Sequence, residues 1–388
     1  MDSLKKNLLW NKDYILLLIV NTVAYLSFQI LAPLMPVYGL LFSSSESQIG
    51  FLASAVAVAA LAIRPFSGPL ADRRNCKYII LGAQLGTAVV ILVFIFASNI
   101  IVLIATRFIH GLLFGLGSTA VTASAIRTIP EDQIGRGIGI LSATGIGSLA
   151  VAPALGIFIS ETWGYSVLFV FTAIVAVAAG IIVLVVGSET MLPAVGKGLE
   201  RFKFSLKELF AVEALGFMGI TIIFTSSTAM ITSFLVVFAN TRNIANIGLY
   251  FTIYAIVLIL VRVIGSRIID KYSYKRTIPI CAALCACGLV IIGASTTFPP
   301  LCIAALVLGI GYGISSPTLQ TQAIKSVPAE RRGTAAATFY CGMDMSHIGG
   351  PLAMGFIAEA SEYSTGFFCF FLLMLAAIPL TFLLKNRR

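Results

Sequence analysis

The chain alternates long apolar runs with short polar breaks. Twelve runs are long enough to cross a bilayer, at roughly 13–36, 47–70, 78–98, 100–124, 133–160, 165–187, 211–237, 245–268, 277–297, 299–323, 333–359 and 363–384. About 20 apolar residues span the hydrocarbon core as a helix, so the pattern predicts twelve transmembrane helices. Pro33 and Pro36 read as the end of the first helix, and the charged tail before it leads into a membrane helix without a small-residue cleavage site. The one long polar stretch is 188–210, where Leu199, Phe202, Phe204, Leu206, Leu209 and Phe210 alternate with Arg201, Lys203 and Lys207. That spacing suits a short amphipathic helix on the inner leaflet. The stretch divides the chain into an N-terminal bundle, 1–187, a cytoplasmic linker, 188–210, and a C-terminal bundle, 211–388, with six spans in each bundle.

The halves repeat one another. At a shift of 198 residues, Arg64, Asp72, Arg73 and Lys77 fall on Arg262, Asp270, Lys271 and Lys275. Gly111 and Gly115 fall on Gly309 and Gly313, Ile126-Arg127-Thr128-Ile129-Pro130 falls on Ile324-Lys325-Ser326-Val327-Pro328, and Pro153 falls on Pro351. A repeated plan of this length predicts two similar halves. In a membrane protein, two such halves imply a site between them and a rocking of one against the other.

Composition agrees with this reading. The chain is 59% hydrophobic and 11% charged, with a mean hydropathy of +1.00, which excludes an ordinary soluble domain. The net charge of +10 does not mark a nucleic-acid binder, because the cations are distributed by side. With the N-terminus in the cytoplasm, all 26 Lys and Arg face inward except Arg242 outside and Arg64, Arg107 and Arg262 within spans. This positive-inside asymmetry places both termini in the cytoplasm. Of seven cysteines, Cys281 and Cys285 share a helix face, but no His or carboxylate stands near to complete a metal site. They read as small buried hydrophobes. No cofactor or metal is expected. With no extramembrane domain there is no place for a soluble enzyme site.

Polar residues inside spans mark the candidate site, since at that depth they prefer a bundle interior or a wet cavity. Span 1 carries Asn21, Tyr25 and Gln29. Span 7, its repeat equivalent, carries Thr221, Thr225, Ser226, Ser227, Thr228 and Thr232, while Tyr312 and Tyr340 lie in spans 10 and 11. Asn21, Tyr25, Gln29, Thr225, Thr228, Tyr312 and Tyr340 are the expected cavity set. For any single hydroxyl the competing reading is a bond to its own helix or to a neighbour. Asp344 lies about 16 Å from the inner end of span 11 at roughly 1.5 Å per residue. It is the lone carboxylate at that depth, with His347 one turn away. It is a candidate proton carrier with His347 as relay; the alternative is a structural Asp bonded to a nearby Tyr or Ser.

Between spans 2 and 3, Gly68-Pro-Leu-Ala-Asp72-Arg73-Arg74-Asn75-Cys76-Lys77 resembles the signature loop of the major facilitator superfamily, and Ser266-Arg-Ile-Ile-Asp270-Lys271 is its degenerate second copy. Twelve spans, the basic linker and the repeat agree with that resemblance along the whole chain. It implies a cytoplasmic gate in which Asp72, beside Gly68 and Arg73, latches to the start of span 11 and pairs with Arg127. Asp270 and Lys325 form the second-half version. Arg107-Phe-Ile-His110-Gly111 is similar to the family's span-4 motif, with His110 where Gln is usual; its arginine is linked to proton transfer in proton-coupled members. Gly139, Gly145, Gly147, Ala152-Pro153 and Gly156 in span 5 resemble the Gly-rich motif of exporters.

These features predict an all-α integral membrane protein of two six-helix bundles. The expected function is secondary active transport, a proton-coupled export of small, partly apolar molecules by alternating access. The rival readings are a facilitator or symporter of a sugar or other metabolite, and a transport-dead receptor or scaffold. The expected partners are a small-molecule substrate, protons and membrane lipid. The expected setting is a bacterial or archaeal cell membrane, with the protein acting as a monomer.

Overall fold

The computed structural model describes residues 9–130, 133–187, 191, 211–271, 273–328 and 332–384. They form α1 (Lys12–Leu31), α2 (Leu34–Gly39), α3 (Glu46–Arg73), α4 (Cys76–Val93), α5 (Ile100–Thr128) and α6 (Ile134–Leu184). These are followed by α7 (Leu215–Thr241), α8 (Gly248–Lys271), α9 (Tyr274–Ala294), α10 (Phe298–Lys325), α11 (Arg332–Ala360) and α12 (Tyr363–Leu383). The linker 188–210 lies outside the described residues except for Met191.

Among the described residues, nine helical runs are long and apolar enough to cross a membrane by length and composition. One of them, Gly137–Leu184, holds two predicted spans, and Gly248–Arg262 is a shorter apolar stretch. With the more polar α11, the chain has twelve spans in two six-helix bundles. Spans 5 and 6 are joined without a loop. Gly164 breaks α6 between them at φ 83°, a left-handed conformation that a side chain would strain. Span 1 ends where its prolines predict, with Pro33 between α1 and α2.

The chain divides into two compact units, Met1–Phe42 with Ala55–Gly198, and Ser43–Ser54 with Leu199–Arg388. In the first, α1 packs along α6, and α4 packs along α5 and α6. In the second, α7 packs along α11, α9 along α10 and α12, and α8 along α10. The repeat is visible in the helix starts. Asn75 caps α4 by accepting from the Lys77 N–H at 2.9 Å, and its equivalent Ser273 caps α9 by accepting from the Lys275 N–H.

It is visible again where helices touch. A Cβ on Gly111 would meet the Val56 carbonyl and lie 2.7 Å from the Val56 Cα and 2.8 Å from the Ala59 Cβ. A Cβ on Gly309 would lie 2.8 Å from Val257 Cγ1 and 3.2 Å from the Tyr254 carbonyl, the equivalents of Ala59 and Val56. Gly115 meets Ala60 and Ile63 as Gly313 meets Leu258 and Val261. These pairs seat α5 on α3 and α10 on α8 by the same close approach, which only small residues allow. A further pair ties the first helix of each unit to its partner. Ser148 Oγ donates to the Thr22 carbonyl at 2.9 Å, and its equivalent Ser346 Oγ reaches the Ile222 carbonyl at 3.3 Å.

The second unit takes in the start of α3. Glu359 on α11 accepts from the Ser47 N–H at 3.0 Å and from Ser45 Oγ at 3.1 Å, so a carboxylate sits at the helix N-terminus. Gly50 and Gly355 face each other closely enough that a Cβ on Gly355 would lie 3.0 Å from the Gly50 Cα. Ser54 Oγ donates to the Ile348 carbonyl at 2.8 Å.

Candidate functional site

Two buried polar clusters stand out, one in each unit. In the first, Arg107 and His110 lie three residues apart on α5 and so share a helix face. Among the described residues Arg107 is the largest fully buried side chain. Its Nη1 lies 2.9 Å from His110 Nδ1, and its guanidinium carbon is 5.8 Å from the centroid of the Phe28 ring. Phe28 stacks on Phe114 at 4.0 Å and 18°, and Tyr25 meets Phe114 edge-on at 5.4 Å. Phe94 closes the other side, 6.3 Å from His110. The result is a cation and an imidazole walled by aromatic rings.

The second cluster gathers Tyr250 and Tyr254 on α8, Tyr312 on α10 and Phe224 on α7. Tyr250 and Tyr254 lie parallel at 6.3 Å, and Tyr312 is edge-on to both Tyr254 and Phe224. Among the described residues the buried hydroxyls of Tyr250 and Tyr312 have no hydrogen-bond partner, nor has Ser315 Oγ. Ser227 and Thr228 stand beside the Tyr312 hydroxyl without closing a bond to it. Unsatisfied buried hydroxyls are rare and call for a partner.

The predicted cavity residues fall into several environments. Asn21 is buried and donates to Thr144 Oγ1 at 2.8 Å and to the Leu141 carbonyl at 3.1 Å, so it fastens α1 to α6. Tyr25 joins the aromatic wall of the first cluster, and Gln29 and Thr225 are half-buried on α1 and α7. Thr228 and Tyr312 meet in the second cluster. Tyr340 accepts from Gln320 Nε2 at 2.8 Å.

In the hydroxyl-rich span 7, the own-helix bond expected of single hydroxyls is made at four positions. Thr221, Ser227, Thr228 and Thr232 each donate to the carbonyl four residues back in α7. A helical hydroxyl reaches that carbonyl without any neighbour's help. These side chains therefore offer only acceptor lone pairs to their surroundings.

On α11, Asp344 is half-buried. The His347 ring is exposed, and its Nδ1 lies 2.8 Å from the Met343 carbonyl. A carbonyl only accepts, so Nδ1 carries a hydrogen and donates it.

Of the gate residues, Arg127 donates from Nη2 to the Ala71 carbonyl at 2.9 Å, and Nη1 reaches Cys76 Sγ at 3.5 Å. A cation on the last carbonyls of α3 suits the negative end of the helix. Gly68 has open space where a Cβ would stand, and Lys325 is exposed. The side chains of Asp72, Arg73 and Asp270 lie outside the described set.

Phe28, Phe114, Tyr250 and Tyr254 were not singled out by the sequence. For the tyrosines a signal existed, two aromatics four residues apart in span 8. For Phe28 and Phe114, on helices far apart in sequence, there was none.

A model of the Major Facilitator Superfamily matches residues 17–245 and 217–388. The chain is similar to an uncharacterised MFS-type transporter of Methanocaldococcus jannaschii, 24% identical over 360 residues, covering 90% of this chain and 92% of that one. It is also similar to the multidrug resistance protein MdtG of Rahnella sp., 26% identical over 367 residues, covering 88% and 86%. Among solved structures, the fold resembles a bacterial homologue of the lysosomal transporter Spinster, with TM-score 0.74, 15% identity and 96% of each chain covered. It also resembles the nucleoside transporter NupG, with TM-score 0.73, 15% identity, and 97% of this chain and 100% of that one covered.

Proposed function

The chain belongs to the Major Facilitator Superfamily, and we propose from that premise that it exports small, partly apolar molecules, driven by an inward flow of protons. It is a multi-pass membrane protein and a secondary transporter of small molecules, not an enzyme. The observation that carries the export reading is the similarity to a multidrug resistance protein along nearly the full length of both chains. Two features of this chain support it. The buried clusters are built from aromatic rings and hydroxyls rather than carboxylates and amides, which suits apolar substrates with few polar groups. Span 5 carries the small residues and Pro153 seen in the exporter motif, and Gly156 packs against the Ile30 carbonyl of α1.

In this reading transport runs by alternating access. Asp344 is the proton carrier, since an ionisable side chain at that depth marks an ion path by default. His347 relays through Nε2, and Arg107 is a second charged element. Gly68, Asp72, Arg73, Arg127, Asp270 and Lys325 form the cytoplasmic gate. Both termini are cytoplasmic, and the protein works as a monomer among the lipids of a bacterial or archaeal cell membrane.

The test is a panel of dyes and metabolites offered to inverted vesicles with and without a pH gradient. Gradient-dependent accumulation of apolar dyes supports export. Movement of metabolites alone, indifferent to dyes, would replace it with a metabolite carrier.

A further inference from the structure

Arg107 has no counterpart in the second half, where Ala305 takes its place. Its charge is therefore not a requirement of the shared fold. A guanidinium can only donate, so the 2.9 Å contact makes His110 Nδ1 the acceptor. The imidazole is then neutral and carries its hydrogen on Nε2. Two further donors, Arg107 Nε–H and His110 Nε2–H, are buried without a hydrogen-bond partner among the described residues. Among the described residues neither side chain meets a carboxylate. Phe28 lies against both side chains and Phe94 against His110, with Phe114 stacked behind Phe28.

Two buried donors without an acceptor, on a neutral imidazole and on a guanidinium that meets no carboxylate among the described residues, form a costly arrangement in an apolar interior. An anionic oxygen acceptor removes that cost. The aromatic wall selects what carries it. A flat apolar body fits against the Phe28–Phe114 stack, which sits 5.8 Å from the guanidinium on its Phe28 side. Both donors are enclosed in the structure described, so a ligand enters when the aromatic wall parts.

We propose that Arg107 and His110 receive the carboxylate of an aromatic or apolar organic acid, with the acid's body against Phe28 and Phe114. The proposal rests on the transporter reading and names the substrate class that this site takes. The same donors could accept a free inorganic anion, and the experiment separates the two.

The purified full-length protein in detergent is heated with benzoate, benzamide, benzylamine or chloride at matched concentration and ionic strength. Benzoate is expected to raise the melting temperature saturably, because a ligand that binds only the folded state stabilises it. Benzamide, benzylamine and chloride are expected to give no saturable rise. Arg107→Gln is expected to fold, since it deletes an unpaired buried charge, and to melt no lower than wild type without ligand. Its benzoate response should vanish. Arg107→Lys keeps the charge but loses the fork, and should bind benzoate at least about tenfold more weakly.

An equal response to benzamide or chloride, a benzoate response that survives Arg107→Gln, or no response at all overturns the proposal. Dye efflux by wild-type vesicles is run in parallel. Efflux without benzoate binding removes this site and leaves the transporter; absence of any gradient-driven movement removes the transporter reading itself.

Discussion

The glycine seats in the repeat yield a prediction with opposite outcomes at neighbouring glycines. In Gly111→Ala the new methyl would press on Val56 backbone atoms, at 2.7 Å from Cα, and on Ala59. Ordinary carbon contacts lie at 3.5–4.0 Å. Backbone cannot rotate out of the way, so α3 and α5 must separate by about 1 Å along their seam. Overpacking of this kind costs about 1–3 kcal/mol. The gain in helix propensity from Gly to Ala, up to about 1 kcal/mol, offsets only part of it. Gly309→Ala meets the stiff Val257 side chain and the Tyr254 carbonyl at 3.2 Å, a milder clash, and should cost less. Gly139→Ala meets nothing within 4 Å and should be neutral or slightly stabilising. Membrane proteins in detergent lose structure irreversibly, so the half-life of the monodisperse species at a fixed temperature is the appropriate assay. A loss of about 1.4 kcal/mol borne by the unfolding barrier shortens that half-life roughly tenfold. The expected order of half-lives is Gly111→Ala shortest, then Gly309→Ala, with Gly139→Ala at wild type or above. Equal half-lives for Gly111→Ala and Gly139→Ala would refute the close approach of α3 and α5.

Further outcomes follow from other parts of the molecule. Asp72→Asn should slow transport while leaving expression and insertion unchanged; wild-type rates in dye efflux would remove Asp72 from the gate. Arg242 donates to the Ser295 carbonyl at 2.8 Å and to Ser364 Oγ at 2.6 Å, so Arg242→Ala frees the ends of α7, α9 and α12 from one another. It should cost about 1–3 kcal/mol, read as a lower melting temperature, and an unchanged value would mean the contacts carry no weight. A cysteine at position 241 should react with an impermeant thiol reagent from outside the cell, and one within 196–200 should not. The reverse labelling pattern would invert the topology.

Much of the fold was legible in the sequence because membrane spans are a matter of length and composition. The repeat reached further than its motifs. It anticipated that Gly111 and Gly309 occupy equivalent seats, because a close helix approach can be met only by a small residue. It also carried the caps, where Asn75 and Ser273 differ in type but accept the same backbone hydrogen bond. The candidate site was less legible. Arg107 and His110 were visible as a pair three residues apart in one motif, but that no acid among the described residues meets them is a property of packing. Span 7 showed a dense set of hydroxyls, and their count suggested a cavity. Four of them, Thr221, Ser227, Thr228 and Thr232, donate back to their own helix, a choice of rotamer that no spacing reveals. Asn21 was expected in the cavity set, and its amide also fastens two helices, because a buried amide meets whichever acceptor lies closest. The aromatic walls join residues from helices far apart in sequence, so only the fold brings them together.

Asp344 gives the central claim its most direct test. The protein and its Asp344→Asn variant are reconstituted into liposomes, and accumulation of an apolar dye is followed after a pH gradient is imposed and again after it is collapsed. The account predicts that wild type concentrates the dye only while the gradient stands, and that Asp344→Asn still exchanges dye across the membrane but builds no gradient of it. A variant that concentrates dye as well as wild type, or a wild type indifferent to the pH gradient, would contradict proton-coupled export.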